Sequence, residues 1–137
     1  MPKSKQKQLF TNRRMSRIQA VQILYETDLR GYYNLDDNKD TATEFTRSLV
    51  KGINENITAI DKAIMEYAPE WPMNQMPVID RNILRIAIYE IIIQDSIPKV
   101  IANESVELAK LFGSESSPKF INGVLGSLIE SKEKIIT

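Results

Sequence analysis

Apolar residues recur at helical spacing from the first quarter of the chain to its end. Ile18, Val21, Leu24, Tyr25 and Leu29 share one broad face of a helix that the pattern starts near Asn12, a good N-cap, and stops at Gly31. A polar connector follows from Tyr32 to Asp40, acidic around Asp36-Asp37. Thr41 and Glu44 then read as a capping box, in which each side chain satisfies an exposed amide of the other's turn. The stripe Phe45, Leu49, Ile53, Ile57, Ile60, Ile64 and Tyr67 fits one long helix or two with a break at 54–56. Pro69, Pro72 and Pro77, with Trp71 among them, forbid continuous helix and mark a hinge.

Beyond the hinge, Val78 to Gln94 predicts the central and most buried helix, because Ile79, Ile83, Leu84, Ile86, Ala87, Ile88 and Ile91-Ile92-Ile93 cover most of its circumference. So many isoleucines would suit a strand by propensity. However, Arg81, Arg85 and Tyr89 fall four apart on one polar edge, which a period of two would scatter. Pro98 suits the first position of a helix ending at Phe112-Gly113, and Ser117-Pro118 opens the last one, with Ile121, Val124, Leu125, Leu128 and Ile129 inward. The pattern predicts an all-α domain over 11–137, in two roughly three-helix halves of about 11–70 and 71–137. A flexible basic arm at 1–10 precedes it.

The length of 137 residues fits one such domain. No apolar run approaches the roughly 20 residues of a membrane span, and none follows the basic start as in a signal peptide, so a soluble cytoplasmic protein is expected. Cysteine and histidine are both absent, which removes thiol nucleophiles, disulfides, the commonest general base and the commonest transition-metal ligand. Asp36-Asp37 read as solvated loop acids. Glu104 and Glu107 sit early in a helix whose dipole favours them, and Glu107 with Lys110 makes an ordinary i,i+3 pair. With no phosphate loop, nucleophile elbow or metal-ligand cluster, the expectation is a protein without catalytic residues, metal or cofactor.

Net charge is zero, but its distribution is uneven. Lys3, Lys5, Lys7, Arg13, Arg14 and Arg17 all precede the first acid, Glu26, after which 12 basic residues face 18 acidic ones. Such a head suits a polyanion, although a merely solvated tail has the same composition. The arginines stand against local physics: a helix start prefers acids, and Arg13 and Arg17 repel at i,i+4. Phosphates docked at the helix N-terminus would relieve them; so would carboxylates from elsewhere in the fold, for instance the 36–40 loop. An arginine-rich segment behind a lysine arm suits irregular RNA. Tyr25, two turns past Arg17, is placed either to stack on a base or, as its apolar stripe favours, to pack in the core.

Four segments resemble the NusB family. They are Arg13 to Tyr25, with an Ala-x-x-x-Leu-Tyr pattern; Val78 to Glu90, with an acid, Ile-Leu-Arg and Ala-x-Tyr-Glu; Asp95 to Lys110, with Pro98 and Asn-Glu-Ser-Val-Glu-Leu-Ala-Lys; and Lys119-Phe120-Ile121-Asn122-Gly123-Val124-Leu125. The resemblance runs from 13 to 128 in order. It implies binding of boxA-like RNA of ribosomal operons, pairing with a small-subunit ribosomal protein that doubles as NusE, and membership of an RNA polymerase antitermination complex. By position it implies RNA contacts at Arg13, Arg14, Arg17, Tyr25, Lys119 and Phe120, and a contact to the basic ribosomal partner at Asp80. Asn122 and Gly123 are expected to serve helix packing. Departures are a thinner arginine run, split by Met15-Ser16; Gly126 where an acid is common; and Ser114-Glu115-Ser116-Ser117 where many members carry acids.

The alternatives are a helical protein-binding module whose basic head meets an acidic protein without RNA, and a relative of the NusB-like domain found ahead of ribosomal-RNA methyltransferases. No methyltransferase domain follows residue 137, so no catalysis is expected from the latter. The sequence leaves a homodimer open.

Overall fold

The computed structural model describes residues 3–34 and 41–136, with side chains described over 11–34 and 41–133. The 36–40 loop acids and the side chains of Lys3, Lys5 and Lys7 lie outside the described residues. The chain forms helices α1 (Lys3–Arg30), α2 (Glu44–Glu55), α3 (Ile57–Tyr67), α4 (Val78–Ile88), α5 (Pro98–Phe112) and α6 (Ser117–Ile136), and a π-turn at Tyr89–Ile93 extends α4. No strand occurs among the described residues.

Helix α1 begins at Lys3, well before Asn12. Nothing in the Gln- and Lys-rich run from Ser4 to Leu9 breaks a helix, so Asn12 is an interior residue rather than a cap. The arginines therefore stand three turns or more inside α1, where the positive helix end no longer acts. At the next helix the cap is Thr43, not Thr41: its hydroxyl accepts from the Thr46 amide at 3.0 Å. The stripe from Phe45 to Tyr67 is two helices, broken at Asn56, whose side chain donates to the Gly52 carbonyl at 2.7 Å and so competes with the backbone ladder.

Helix α4 is the central element, touching α1, α2, α3, α5 and α6. Ile83, Leu84, Ile86, Ala87 and Ile88 are buried, as the all-round apolar pattern requires. Its end departs from the expectation. The Gln94 amide bonds back five residues to the Tyr89 carbonyl at 3.0 Å, and this wider turn keeps Ile91 inside while Ile92 and Ile93 face outward. Tyr89 lies directly over Gly52 of α2, where any Cβ would overlap its ring. Helices α5 and α6 pack closely across the short Gly113–Ser116 connection and line one side of the molecule.

Candidate nucleic-acid interface

Two of the three arginines of the basic start are satisfied from within. Arg17 is 6% exposed, and its Nε and Nη2 donate to Glu90 Oε2 and Oε1, both at 2.8 Å. Arg14 makes the same two-pronged contact with Glu104 of α5, at 3.1 and 3.0 Å. The hydrogen bonds from Arg14 to Glu104 hold the guanidinium above its ordinary pKa, against a smaller effect of burial. The exposed Arg13 lies over Phe45, its guanidinium carbon 4.0 Å from the ring centroid. Of the two sources of relief that the sequence left open, phosphates or carboxylates from elsewhere in the fold, Arg14 and Arg17 have the second. Their partners are remote in sequence, on the π-turn and α5, where sequence spacing gave no sign of them. Arg13 makes no ion pair among the described residues.

The reading of Asp80 is corrected. Read as a partner-facing acid, it is 1% exposed and accepts the Ser117 hydroxyl at 2.7 Å, locking the start of α4 to the start of α6. Burial pushes its carboxyl up from the ordinary value, and the Ser117 hydrogen bond offsets this only in part. A surface contact for Asp80 does not fit this burial. Ser117 also accepts the Ser114 amide at 2.9 Å, so its oxygen joins two elements. Tyr25, expected in the core, is 38% exposed because its side of α1 is left uncovered. Gly123 is likewise not at a close helix crossing: a Cβ built there meets nothing within 4 Å.

The polar edge of α4 has a structural task. Arg85 donates to Asp61 on α3 at 2.8 and 2.9 Å and to Asp28 on α1 at 3.2 Å; Arg81 and Asn82 also donate to Asp28, at 3.0 and 2.9 Å. Burial pushes the Asp28 carboxyl up, but the hydrogen bonds from Arg81 and Asn82 and the charges of Arg85 and Arg81 outweigh it, and its pKa ends below the ordinary value. This network consumes the charges of α4 and leaves little of them for a ligand.

Two open clefts lie on the α5–α6 side. A polar cleft of about 650 Å³ is lined by Arg14, Asn103, Lys110, Lys119 and Asn122, with Glu104 and Glu107 beside their partners. Lys110 is held by Glu107 at 3.1 Å, whereas Lys119 makes no ion pair among the described residues. Lys119 also lines a second, adjoining groove of about 730 Å³ with Trp71, Phe120, Glu70 and Gly123. There the Trp71 and Phe120 rings meet edge to face, centroids 4.8 Å apart and planes at 70°. The fold thus joins Arg14, Lys119 and Phe120 at one surface, and separates Arg17, Tyr25 and Asp80 from it. Sequence reasoning did not assign Trp71 or Lys110 to the site, since a hinge tryptophan and a paired lysine carry no local signal of a ligand. Among the described residues no group of three acids is placed to hold a metal, and no helix is long and apolar enough to cross a membrane.

These features define an all-helical protein with a polar cleft that adjoins an aromatic groove on its α5–α6 side. The chain belongs to the NusB family: the family's model matches residues 14–130. It is 41% identical over 133 residues to the transcription antitermination protein NusB of Pelotomaculum thermopropionicum, covering 90% of this chain and 92% of that one. To its counterpart in Chloroflexus aggregans it is 43% identical, covering 88% and 89%. Among solved structures it resembles T. maritima NusB, with a TM-score of 0.78 and 31% identity over 91% of this chain and 97% of that one. It also resembles a chain in the crystal structure of antitermination factors NusB and NusE in complex with dsRNA, with a TM-score of 0.72 and 27% identity over 87% and 96%.

Proposed function

We propose that this chain is an RNA-binding adaptor of bacterial transcription antitermination, holding boxA-like RNA together with a small-subunit ribosomal protein of the NusE type within an RNA polymerase antitermination complex. It carries out no reaction of its own, and it acts in the cytoplasm, where nascent RNA is made. Family membership supports the class of partner, and one observation supports the place. Lys119, a cation with no carboxylate partner among the described residues, stands where the polar cleft meets the aromatic groove. A backbone phosphate at Lys119 would leave its base beside Phe120, the pairing of charge and stacking on which single-stranded RNA binding rests.

In this reading Lys119, Phe120 and Arg13 make direct contacts. Arg14 contributes less, because a phosphate must share its guanidinium with Glu104. Arg17 acts through the fold: clasped by Glu90, it fixes α1 against the end of α4. The test is a titration of boxA-like RNA at several salt concentrations, with and without the NusE-type protein. Removing one cation that neutralises a phosphate should flatten the salt slope by about 0.7 for a single strand. Lys119→Ala and Arg13→Ala are expected to do so, and Arg17→Ala to leave the slope unchanged. Absence of RNA binding under both conditions would leave only the protein-binding alternative.

A further inference from the structure

Gly123 sits within α6, where glycine weakens a helix relative to alanine. Such a residue is normally explained by a close neighbour or a positive φ. Neither holds here: a Cβ would meet nothing within 4 Å, and Gly123 lines the groove walled by Trp71 and Phe120. The space beside it is open, as it is beside Gly126, but of the two only Gly123 lines this groove.

The chemistry of the walls narrows the occupant. Two rings at 70° present a face and an edge, so a flat aromatic guest can stack on one and meet the edge of the other. Glu70 and Ser116 also line the groove, and a carboxylate can accept from an exocyclic amino group while repelling a phosphate. Lys119 supplies a cation, lining both this groove and the polar cleft. A guest that is flat, carries an amino edge and is tethered to an anion matches all three.

We propose that this groove takes one unstacked nucleobase of the bound RNA, with Trp71 and Phe120 as its walls and Gly123 as the gap that admits it. The proposal rests on the RNA reading above and adds the hinge tryptophan and the glycine to the RNA site. It also gives the groove a preference for amino-bearing bases, through Glu70.

Trp71 is the single tryptophan of the chain, so its emission reports on the groove alone. The experiment titrates a fluorescein-labelled single-stranded boxA-like RNA into the full chain, following label anisotropy and Trp71 emission together. Emission is expected to change with the same midpoint as anisotropy. Gly123→Leu fills the groove and should weaken binding about tenfold, the scale of one stacked base, without lowering the unfolding midpoint. Gly126→Leu, at a site equally open but outside the groove, should bind like the parent. If anisotropy reports binding while Trp71 is silent and Gly123→Leu binds normally, the groove is not a base site although the RNA reading stands. A Trp71 response to the NusE-type protein alone would make the groove a protein site and overturn the proposal. No RNA binding at all, with or without that protein, overturns both readings.

Discussion

Arg17 and Glu90 illustrate what a buried ion pair does to a single position. Both side chains are withdrawn from water, and each is tolerable only because the other is present with two short hydrogen bonds. Removing one leaves an uncompensated charge in the interior. Arg17→Ala or Glu90→Ala is therefore expected to cost about 3–5 kcal/mol in urea unfolding. Replacing both with apolar residues of similar volume should recover most of that loss. Arg13→Ala, which gives up only an exposed cation–π interaction, should cost about 0.5–1 kcal/mol. A near-equal loss at positions 13 and 17 would contradict this division of labour. The three arginines look alike in sequence; their burial separates a structural one from an exposed one.

At the scale of elements, the joints between helices depend on a few close approaches. Gly52 lets α2 lie against Tyr89 at the start of the π-turn, and a methyl group there would collide with the ring. Gly52→Ala is expected to lower stability by about 1–3 kcal/mol, the usual cost of overpacking, measurable as a shift in the thermal midpoint. Gly123→Ala, on an open stretch of α6, should instead raise stability by roughly 0.5–1 kcal/mol from helix propensity alone. Opposite signs at two helical glycines would show that packing rather than residue type decides. The helices themselves were readable from their stripes, from the prolines between Pro69 and Pro77, and from Pro98. Their exact ends were not. Asn12 and Thr41 carry good capping chemistry, but a helix start depends on which backbone amides lack partners, and the fold left those at Lys3 and near Thr43.

For the whole molecule, two carboxylates, half-buried Asp28 and buried Asp80, give opposite pH dependences. The Asp28 pKa is lowered in the folded state, so its contribution is present above about pH 4, the unfolded value, and is lost as pH falls through the folded one. The Asp80 pKa is raised, so its contribution is complete below about pH 4 and is lost as pH rises through the folded value. Asp28→Asn should accordingly be more damaging at pH 7 than at pH 3. Asp80→Asn, which keeps an acceptor for Ser117, should become more favourable over the same interval. Denaturant melts at the two pH values check both signs, and a matching trend for the two variants would refute the assignment.

Periodicity, prolines and the four family-like segments determined by themselves an all-helical chain of the NusB family, because these are local patterns that every helix must obey to bury one face. Which charges stay available was decided only by the tertiary structure. Glu90 and Glu104 lie 73 and 90 residues from the arginines they hold, and Trp71 meets Phe120 across 49 positions. No sequence interval encodes such a meeting; it exists because the helices pack, and packing turned three similar arginines into one buried clasp, one shared arginine and one exposed cation.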